Sequence, residues 1–394
     1  MAPLQTRAYD PFGFDYRFTD WGMRAHAFIT PSSDIVLSNL AVAARAVALR
    51  SELMASVPLF TYRYDANGGR QKADDLPLYG VLHDQANANQ SAFELREYMC
   101  RQLDLNGNAY ARIERNDRGE VIALWPYLYG DVSVELLASG RLRYRIYNGR
   151  RTEILLQEDI LHIRGASRDN IIGQSPITIA RGALGLALSH QHTAEGLAQN
   201  SLRPSGLLSY PQGLSKEQRQ VVKDSAASSY GGEANAGKLM VVDGGAKYEV
   251  LSFTPEDAQF LENRKLNAED TARIFGLPPT CVGITTGATY SNTEQESRAL
   301  VQNAIGPLAK RVEAAMMRCL LTEAGRRTLY IEHDLDGLLR GDVKSRFDAY
   351  RLGRECGVYS PNDVRQKENE PPIPDGDVYN QPANWMKLGG VPTP

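Results

Sequence analysis

The sequence predicts an α+β protein in which a strand-rich part is followed by long helices. Two observations support this fold class. Short alternating runs flank turn residues between residues 108 and 165, and apolar residues recur at helical spacing over long segments from residue 175. The chain has 394 residues, whereas a domain typically has about 100 to 200, so we expect more than one structural unit.

The first predicted unit comprises residues 34–174 and follows an arm at residues 1–33 that has no clear periodicity. An amphipathic helix is predicted from Asp34, ending before Pro58. The next elements are a strand with the sequence LFTYRYD, a helix from Ser91 to about Leu103, and hairpins that turn at residues 116–119, 139–140 and 148–149. These elements predict a small module of helices and antiparallel strands.

Two long helices are predicted at residues 175–203 and 254–276, on either side of a small α/β segment at residues 204–253. Ser175 and Thr254 each precede a proline, an arrangement that favours the start of a helix. Each helix carries a narrow stripe of small and apolar residues, which suits close packing against similar helices. The stripe residues expected to make these contacts are Leu184, Leu188, Leu261, Ala268 and Ala272.

Residues 277–292 are predicted to form a loop, which is uncharged from residue 280 onward. Residues 293–337 are predicted to contain a long helix and then a strand that returns to an earlier sheet. Gly306 and Pro307 lie inside this helix, and we expect a kink there because proline removes a backbone hydrogen-bond donor. Residues 338–394 are predicted to add one more helix and a Pro-rich extended tail.

Composition and charge exclude several classes of protein. The 44 Lys and Arg residues against 47 Asp and Glu residues give a net charge of −3, without the basic surplus typical of tight nucleic-acid binding. The four cysteines are far apart and form no CxxC pair, so we expect a reducing compartment and no disulfide framework. We also expect neither a signal peptide nor a membrane-spanning segment.

The sequence contains no convincing catalytic or metal-binding motif. Residues Gly232–Lys238 fit the pattern GxxxxGK, but Leu239 replaces the Ser or Thr that binds Mg²⁺, and a strand is predicted after the motif instead of a helix. His190 and His192 point in different directions on a helix, and Cys281 has no histidine near it in sequence. We therefore predict a protein that is not an enzyme, without catalytic residues, metal or cofactor.

Several segments occur in the same order as in a known family, from about residue 35 to residue 383. They include LDLNGNAYARIERNDRGEVIALWP, EDILHIRG, GQSPITIARGALGLALSHQHTAEG, RPSGLLSYP, TYSNTEQESRALVQNAIGPLAKRVE and GVYSPNDVRQKENEPPIPDGDVY. These segments resemble the portal proteins of tailed bacteriophages, of the type found in siphovirus heads and gene transfer agents. The resemblance implies a ring-shaped conduit for double-stranded DNA at one capsid vertex, used in genome packaging and ejection.

The resemblance also implies a role for each segment: a wing (34–174), stem helices (175–203 and 254–276), a clip (204–253), a tunnel loop (277–292), a kinked helix with a wing strand (293–337), and a crown with the C-terminal tail (338–394). The implied DNA-facing residues are Thr285, Thr286, Gly287, Ala288 and Thr289. An uncharged loop suits this role because each Lys or Arg bound to phosphate adds attraction and would slow a moving duplex. In a ring, the stem stripes would be covered by neighbouring subunits.

The partners implied by the resemblance are other copies of the chain in a dodecameric ring, DNA contacted without sequence preference, the major capsid protein, the terminase large subunit and a head-tail adaptor protein. No membrane partner is expected. The implied location is the portal vertex of the virion, after assembly in the host cytoplasm. Two alternatives stay open: another structural capsid or adaptor protein, and a P-loop-like ATPase subunit of a motor.

Overall fold

The computed structural model describes residues 31–65, 69–149, 151–200, 206–209, 215–217, 220–221, 247–250, 255–284, 290–339, 343–368 and 370–379. These residues form helices and small antiparallel sheets, which confirms the predicted α+β class. The helices are α1 (Ser33–Asn39), α2 (Ala41–Ser56), α3 (Pro77–His83), α4 (Ala92–Asn106), α5 (Pro176–Ile179), α6 (Arg181–Asn200), α7 (Pro255–Ile274), α8 (Tyr290–Ala299), α9 (Gly306–Leu320), α10 (Asp336–Leu339), α11 (Val343–Glu355) and α12 (Pro361–Lys367). A π-helical turn at Leu300–Ile305 joins α8 to α9.

The strands belong to several small sheets. They are β1 (Leu59–Tyr64), β2 (Arg70–Lys72), β3 (Gln85–Asn87), β4 (Gln90–Ser91), β5 (Asn108–Arg115), β6 (Val121–Tyr127), β7 (Val132–Leu136), β8 (Leu142–Tyr147), β9 (Thr152–Leu156), β10 (Ile160–Arg164), β11 (Ala166–Ser167), β12 (Gly173–Gln174), β13 (Gly206–Ser209), β14 (Lys247–Val250) and β15 (Leu329–His333). Three-stranded sheets have the orders β15-β1-β2, β10-β5-β6 and β7-β8-β9, while β3–β4, β11–β12 and β13–β14 form pairs.

Two predicted strand pairings are confirmed. Strands β5 and β6 form a hairpin in which the Asn116 carbonyl accepts the Gly119 N–H at 2.8 Å. Strand β15 pairs with β1, and Tyr330 lies opposite Tyr62. The second pairing ties the segment after α9 back to the first unit of the chain, as the sequence predicted.

The largest hydrophobic core lies where α2, α4 and α9 pack with β5, β6 and β10. Its members include Met54, Leu95, Leu124 and Leu161, none of which is more than 2% exposed. Full burial of one such side chain contributes about 1.5–3 kcal/mol. This core therefore holds the helices of residues 41–106 and 306–320 against the same sheet.

Two smaller cores complete the packing. The second core contains Val36, Ala43, Ala46, Val47, Ile177, Leu184, Leu188, Phe275, Leu277 and Ala304, and so joins α1, α2 and α6 to the end of α7. The third core contains Tyr110, Val134, Tyr144, Ile146, Leu155 and Ile160, between the sheets β7-β8-β9 and β10-β5-β6. The second core therefore fixes the end of α7 relative to α2 and α6.

The predicted helix from Asp34 is divided in two at Leu40, whose backbone is extended with φ −114° and ψ 94°. Just before this break, the Ser38 hydroxyl donates to the Asp34 carbonyl at 2.7 Å, and the Asn39 amide donates to the Ile35 carbonyl at 2.9 Å. Side-chain bonds of this kind compete with the helical hydrogen bonds of the backbone. The break separates α1 from α2.

The C-terminal Pro-rich region contains helix α12, so the prediction of an extended tail is wrong at these residues. Ser360 accepts the Asp363 N–H at 3.1 Å and donates its own N–H to the Asp363 carboxylate at 2.7 Å. Pro361 occupies the first turn of the helix. This capping box and the favourable proline position start a short helix despite the surrounding prolines.

Three predicted features lie largely or wholly outside the described residues: the arm as far as residue 30, the motif at residues 232–238 and most of the segment 204–253. In that last segment, β13 and β14 form an antiparallel pair with Leu207 opposite Glu249.

Candidate functional site

The residues predicted to face DNA, Thr285–Thr289, lie outside the described residues, but both flanks of this segment are described. The first flank runs from the end of α7 to Ile284. The second flank is α8, which begins at Tyr290 and not at Thr293 as predicted. The geometry of these flanks determines where the segment leaves and re-enters the structure.

The C-terminus of α7 is capped by a Schellman motif. Gly276 has a φ of +70°, a left-handed conformation that glycine adopts without strain. Its N–H donates to the Arg273 carbonyl at 2.9 Å, and the Leu277 N–H donates to the Ala272 carbonyl at 3.0 Å. Leu277 is buried in the second core, so the chain turns inward directly after the helix. The end of α7 is therefore well defined.

Arg50 on α2 connects the end of α7 to α4. Its guanidinium donates to the Phe275 carbonyl, and its Nε lies 3.1 Å from the Asp104 carboxylate. Burial raises the pKa of Asp104 to about 6, against the lowering effect of Arg50. A cation is favourable at a helix C-terminus because the helix dipole concentrates negative partial charge there. Arg50 thus anchors the first flank to the first unit of the chain.

The turn after Leu277 contacts the second flank. A 3₁₀ turn at Pro279–Val282 ends at Gly283, which has a φ of +89°. The Thr280 hydroxyl donates to the carboxylate of Glu296 on α8. Burial raises the pKa of the neighbouring Cys281 thiol, so this thiol is protonated at neutral pH and is a poor nucleophile. The turn has the features of a structural joint and lacks those of a catalytic site.

The regular helix is interrupted next to Gly306 and Pro307, where the sequence predicted a kink. The Gly306 N–H donates to the Val301 carbonyl, five residues earlier, at the end of the π-helical turn Leu300–Ile305. Pro307 has no N–H, and a regular α-helix restarts from this point. A Cβ atom at Gly306 would lie only 3.1 Å from the Val301 oxygen. The interruption is therefore a π turn that precedes the proline.

A cavity of about 280 Å³ lies between the end of α7 and the π-helical turn, and three arginines line it. Their partners within the chain are Asp104 for Arg50, Glu269 and Asp270 for Arg273, and the Arg164 carbonyl for Arg311. The carbonyl groups at the end of α7 add further negative partial charge. Two of the three arginines are thus paired with carboxylates of their own chain, whereas Arg311 contacts a backbone carbonyl.

The predicted stem-packing residues divide into two groups. Leu184, Leu188 and Ala272 are 0% exposed within a single chain. Because their own chain covers them, they cannot be contacts between subunits, and their predicted role is corrected to core packing. Ala268 is partly buried, and the side chain of Leu261 lies outside the described part of the structure. Contacts between subunits remain a prediction for these two residues.

Sequence reasoning missed the apolar residues that these helices expose. Ile179 is 59% exposed, Leu186 is 46% exposed and Leu266 is 50% exposed. Leu186 lies between the buried Leu184 and Leu188, on a different face of the same helix. The helical spacing separated Leu184 and Leu188 from Leu186, but it did not indicate that the stripe is covered by its own chain, or that Leu186 leaves an apolar side chain exposed on another face.

The described residues contain no group of three or more His, Cys, Asp or Glu side chains placed to hold a metal ion. His192 pairs with Glu195 on its own helix at 3.6 Å. Among the described helices, none is both long and apolar enough to cross a bilayer.

Comparison with known proteins gives a consistent result. A family model described as "Phage portal protein" matches residues 41–369. The chain is 31% identical over 375 residues to the portal protein of Enterobacteria phage HK97, covering 94% of this chain and 88% of that protein. It is 28% identical over 405 residues to a probable portal protein of Streptomyces phage phiC31, covering 99% of this chain and 87% of that protein.

The fold is similar to a chain in a solved structure titled as the neck of an empty gene transfer agent particle, computed with C6 symmetry. The TM-score is 0.64 at 27% sequence identity, and the match covers 86% of this chain and 93% of the other. The match of the family model over most of the sequence and the identity to the HK97 protein agree with this structural likeness. The chain belongs to the phage portal protein family.

Proposed function

We propose that this chain is the repeating subunit of a ring that conducts double-stranded DNA through one capsid vertex, during both genome packaging and ejection. The observation that carries the proposal is the family match, which extends over residues 41–369 and so includes the largest and third cores and all of the second core except Val36. A structural role in a virus-like particle follows from membership of the family, and we propose no catalytic activity.

The proposed ring contains twelve subunits in contact through two different surfaces, as a closed head-to-tail arrangement requires. The similar gene transfer agent chain comes from a particle neck with rotational symmetry, which supports this arrangement. Ile179, Leu186 and Leu266 expose apolar area that a neighbouring subunit would cover. Burial of this area would stabilise the ring by the hydrophobic effect.

The proposed DNA-facing residues are Thr285, Thr286, Gly287, Ala288 and Thr289. None is charged, so the duplex would meet hydroxyl, methyl and backbone groups that neither read bases nor hold phosphates strongly. The anchored end of α7 supports this proposal, because a segment that contacts moving DNA needs a fixed base.

The further proposed partners follow the family as well. Residues 204–253, the proposed clip, would contact the terminase large subunit during packaging and a head-tail adaptor afterwards. Residues 34–174 would form the wing, beside the major capsid protein. The stem would comprise 175–203 and 254–276, and the crown would follow residue 338. Assembly would take place in the host cytoplasm, before the ring enters the particle.

Mass measurement and electron microscopy of the purified full chain test the proposed ring. We expect a closed particle of about twelve 43.6-kDa chains with a central hole. A chain that stays monomeric in solution and in its native particle would refute the proposal. ATP hydrolysis that is lost in Lys238→Ala would instead favour a motor subunit.

Packaging efficiency tests the proposed channel segment. We expect replacement of Thr285–Thr289 by a short Gly linker to leave the ring intact and to reduce the amount of packaged DNA. Unchanged packaging would count against a role of these residues at the duplex.

A further inference from the structure

The two flanks of residues Thr285–Thr289 differ in how firmly they are held. The first flank is rigid: the Cys281 N–H donates to the Pro278 carbonyl at 3.1 Å, and the Ile284 N–H donates to the Pro279 carbonyl at 3.0 Å. Pro278 and Pro279 also restrict the backbone through their fixed φ angles. Thr280 therefore projects its hydroxyl from a fixed turn.

On the second flank, most of the described side chains of α8 are exposed. On α8, Gln295, Ser297 and Arg298 are exposed, and the helix enters the π-helical turn at Leu300. The hydrophobic anchors begin at Leu300, which is partly buried and packs against the largest and the second core, and at Val301, which is 4% exposed. The described part of α8 thus gains little stability from core packing.

A hydrogen bond between Thr280 and Glu296 joins the two flanks. The Thr280 hydroxyl donates to the carboxylate of Glu296, a residue sixteen positions further along the chain. Both residues are partly buried, which reduces competition from water. A hydrogen bond to an ionised carboxylate is stronger than one between neutral groups. This contact is therefore well placed to hold α8 against the turn.

We propose that the Thr280–Glu296 hydrogen bond is a clasp that fixes the separation of the two flanks, and that Glu296 is thereby a positioning residue for the channel segment. The inference rests on the proposed conduit function. It assigns a role to a carboxylate in a region that DNA, a polyanion, is proposed to pass. The carboxylate keeps its negative charge in this hydrogen bond, and the bond fixes where that charge lies relative to the turn.

Hydrogen–deuterium exchange of the full chain tests the clasp directly. Thr280→Val keeps the side-chain shape and removes the donor, so we expect amide exchange in residues 290–299 to become about tenfold faster. Glu296→Gln removes the charge and is expected to have a smaller effect in the same direction. The double variant should exchange no faster than Thr280→Val, because both changes break the same bond. Thr280→Ser retains a hydroxyl and should restore slow exchange.

Two matched controls carry the same chemical changes elsewhere. Thr152→Val changes a residue on the exposed face of β9, and Glu323→Gln changes a carboxylate that is 85% exposed. Neither control should alter exchange in α8. Unchanged exchange in Thr280→Val would overturn the clasp.

Measurements of ring mass and of the amount of packaged DNA distinguish a failure of the clasp from a failure of the proposed function. We expect Thr280→Val to assemble into rings of normal mass and to package less DNA, and Thr280→Ser to package normally. Faster exchange in Thr280→Val with normal packaging would overturn the positioning role while leaving the conduit intact. A wild-type chain that forms no ring would refute the proposed function, whatever the exchange result.

Discussion

Replacement of Leu188 by alanine distinguishes packing within one chain from packing between subunits. Leu188 is 0% exposed in an isolated chain and belongs to the second core, together with Leu184 and Phe275. Leu→Ala at a fully buried site removes transfer free energy and leaves a cavity, which costs about 2–5 kcal/mol. We expect the free energy of unfolding to fall by an amount in this range.

Leu186 provides the matched comparison on the same helix. Its side chain is 46% exposed in one chain, so the isolated chain should lose about 1 kcal/mol or less in Leu186→Ala. Leu186→Glu would place a carboxylate at the proposed subunit contact, where burial of an unpaired charge is unfavourable. We expect this variant to fold normally and to assemble poorly.

Urea unfolding and mass measurement at several protein concentrations separate the two effects. The loss in Leu188→Ala should be the same at every concentration, because it arises within one chain. The defect in Leu186→Glu should appear as a reduced fraction of rings, which depends on concentration. If Leu188→Ala kept full stability but prevented ring formation, Leu188 would be a subunit contact and our correction would be wrong.

Three further variants test the local geometry. The pKa of Asp104 is raised from 3.8 to about 6, mainly by burial, so its contribution to stability is fully present below pH ~4 and is lost as the pH rises through ~6. This loss amounts to about 3 kcal/mol, and Asp104→Asn should abolish it. The free energy of unfolding in urea, measured from pH 4 to 7, should therefore fall in the wild-type chain and not in the variant. The same pH dependence in both proteins would contradict this reasoning. Gly107→Ala should prevent folding, because Gly107 has a φ of +75° and the added Cβ atom would lie 2.4 Å from the Gln174 carbonyl carbon. Gly119→Ala shares the positive φ but faces open space, so thermal unfolding should reveal a loss of only about 1–2 kcal/mol.

Much of the fold was predictable from the sequence, because many elements start and stop at local signals. Ser175 accepts the Thr178 N–H at 3.0 Å, as a helix cap before Pro176 predicts. The turn at Asn116–Gly119 forms the predicted hairpin. The same kind of signal is present at Ser360, where a capping box with Asp363 starts α12 among the surrounding prolines.

The candidate site was predictable only in part. The uncharged composition of Thr285–Thr289 and the proline in the following helix are sequence properties. The helix is interrupted next to that proline, whereas the predicted role of Thr285–Thr289 stays a prediction. The replacement of a simple kink by a π-helical turn was not predictable, because it depends on how Val301 and Ile305 enter the cores.

The sequence by itself determined the helix and strand periodicities, the caps and turns, the lack of charge in Thr285–Thr289 and the resemblance to portal proteins. Only the tertiary structure decided that Leu184 and Leu188 are covered by their own chain, and that Arg50 contacts Phe275 from 225 residues away. It also decided that Thr280 meets Glu296. The physical reason is range: caps, turns and periodicity act over a few residues, whereas these contacts exist only once distant segments have packed into common cores.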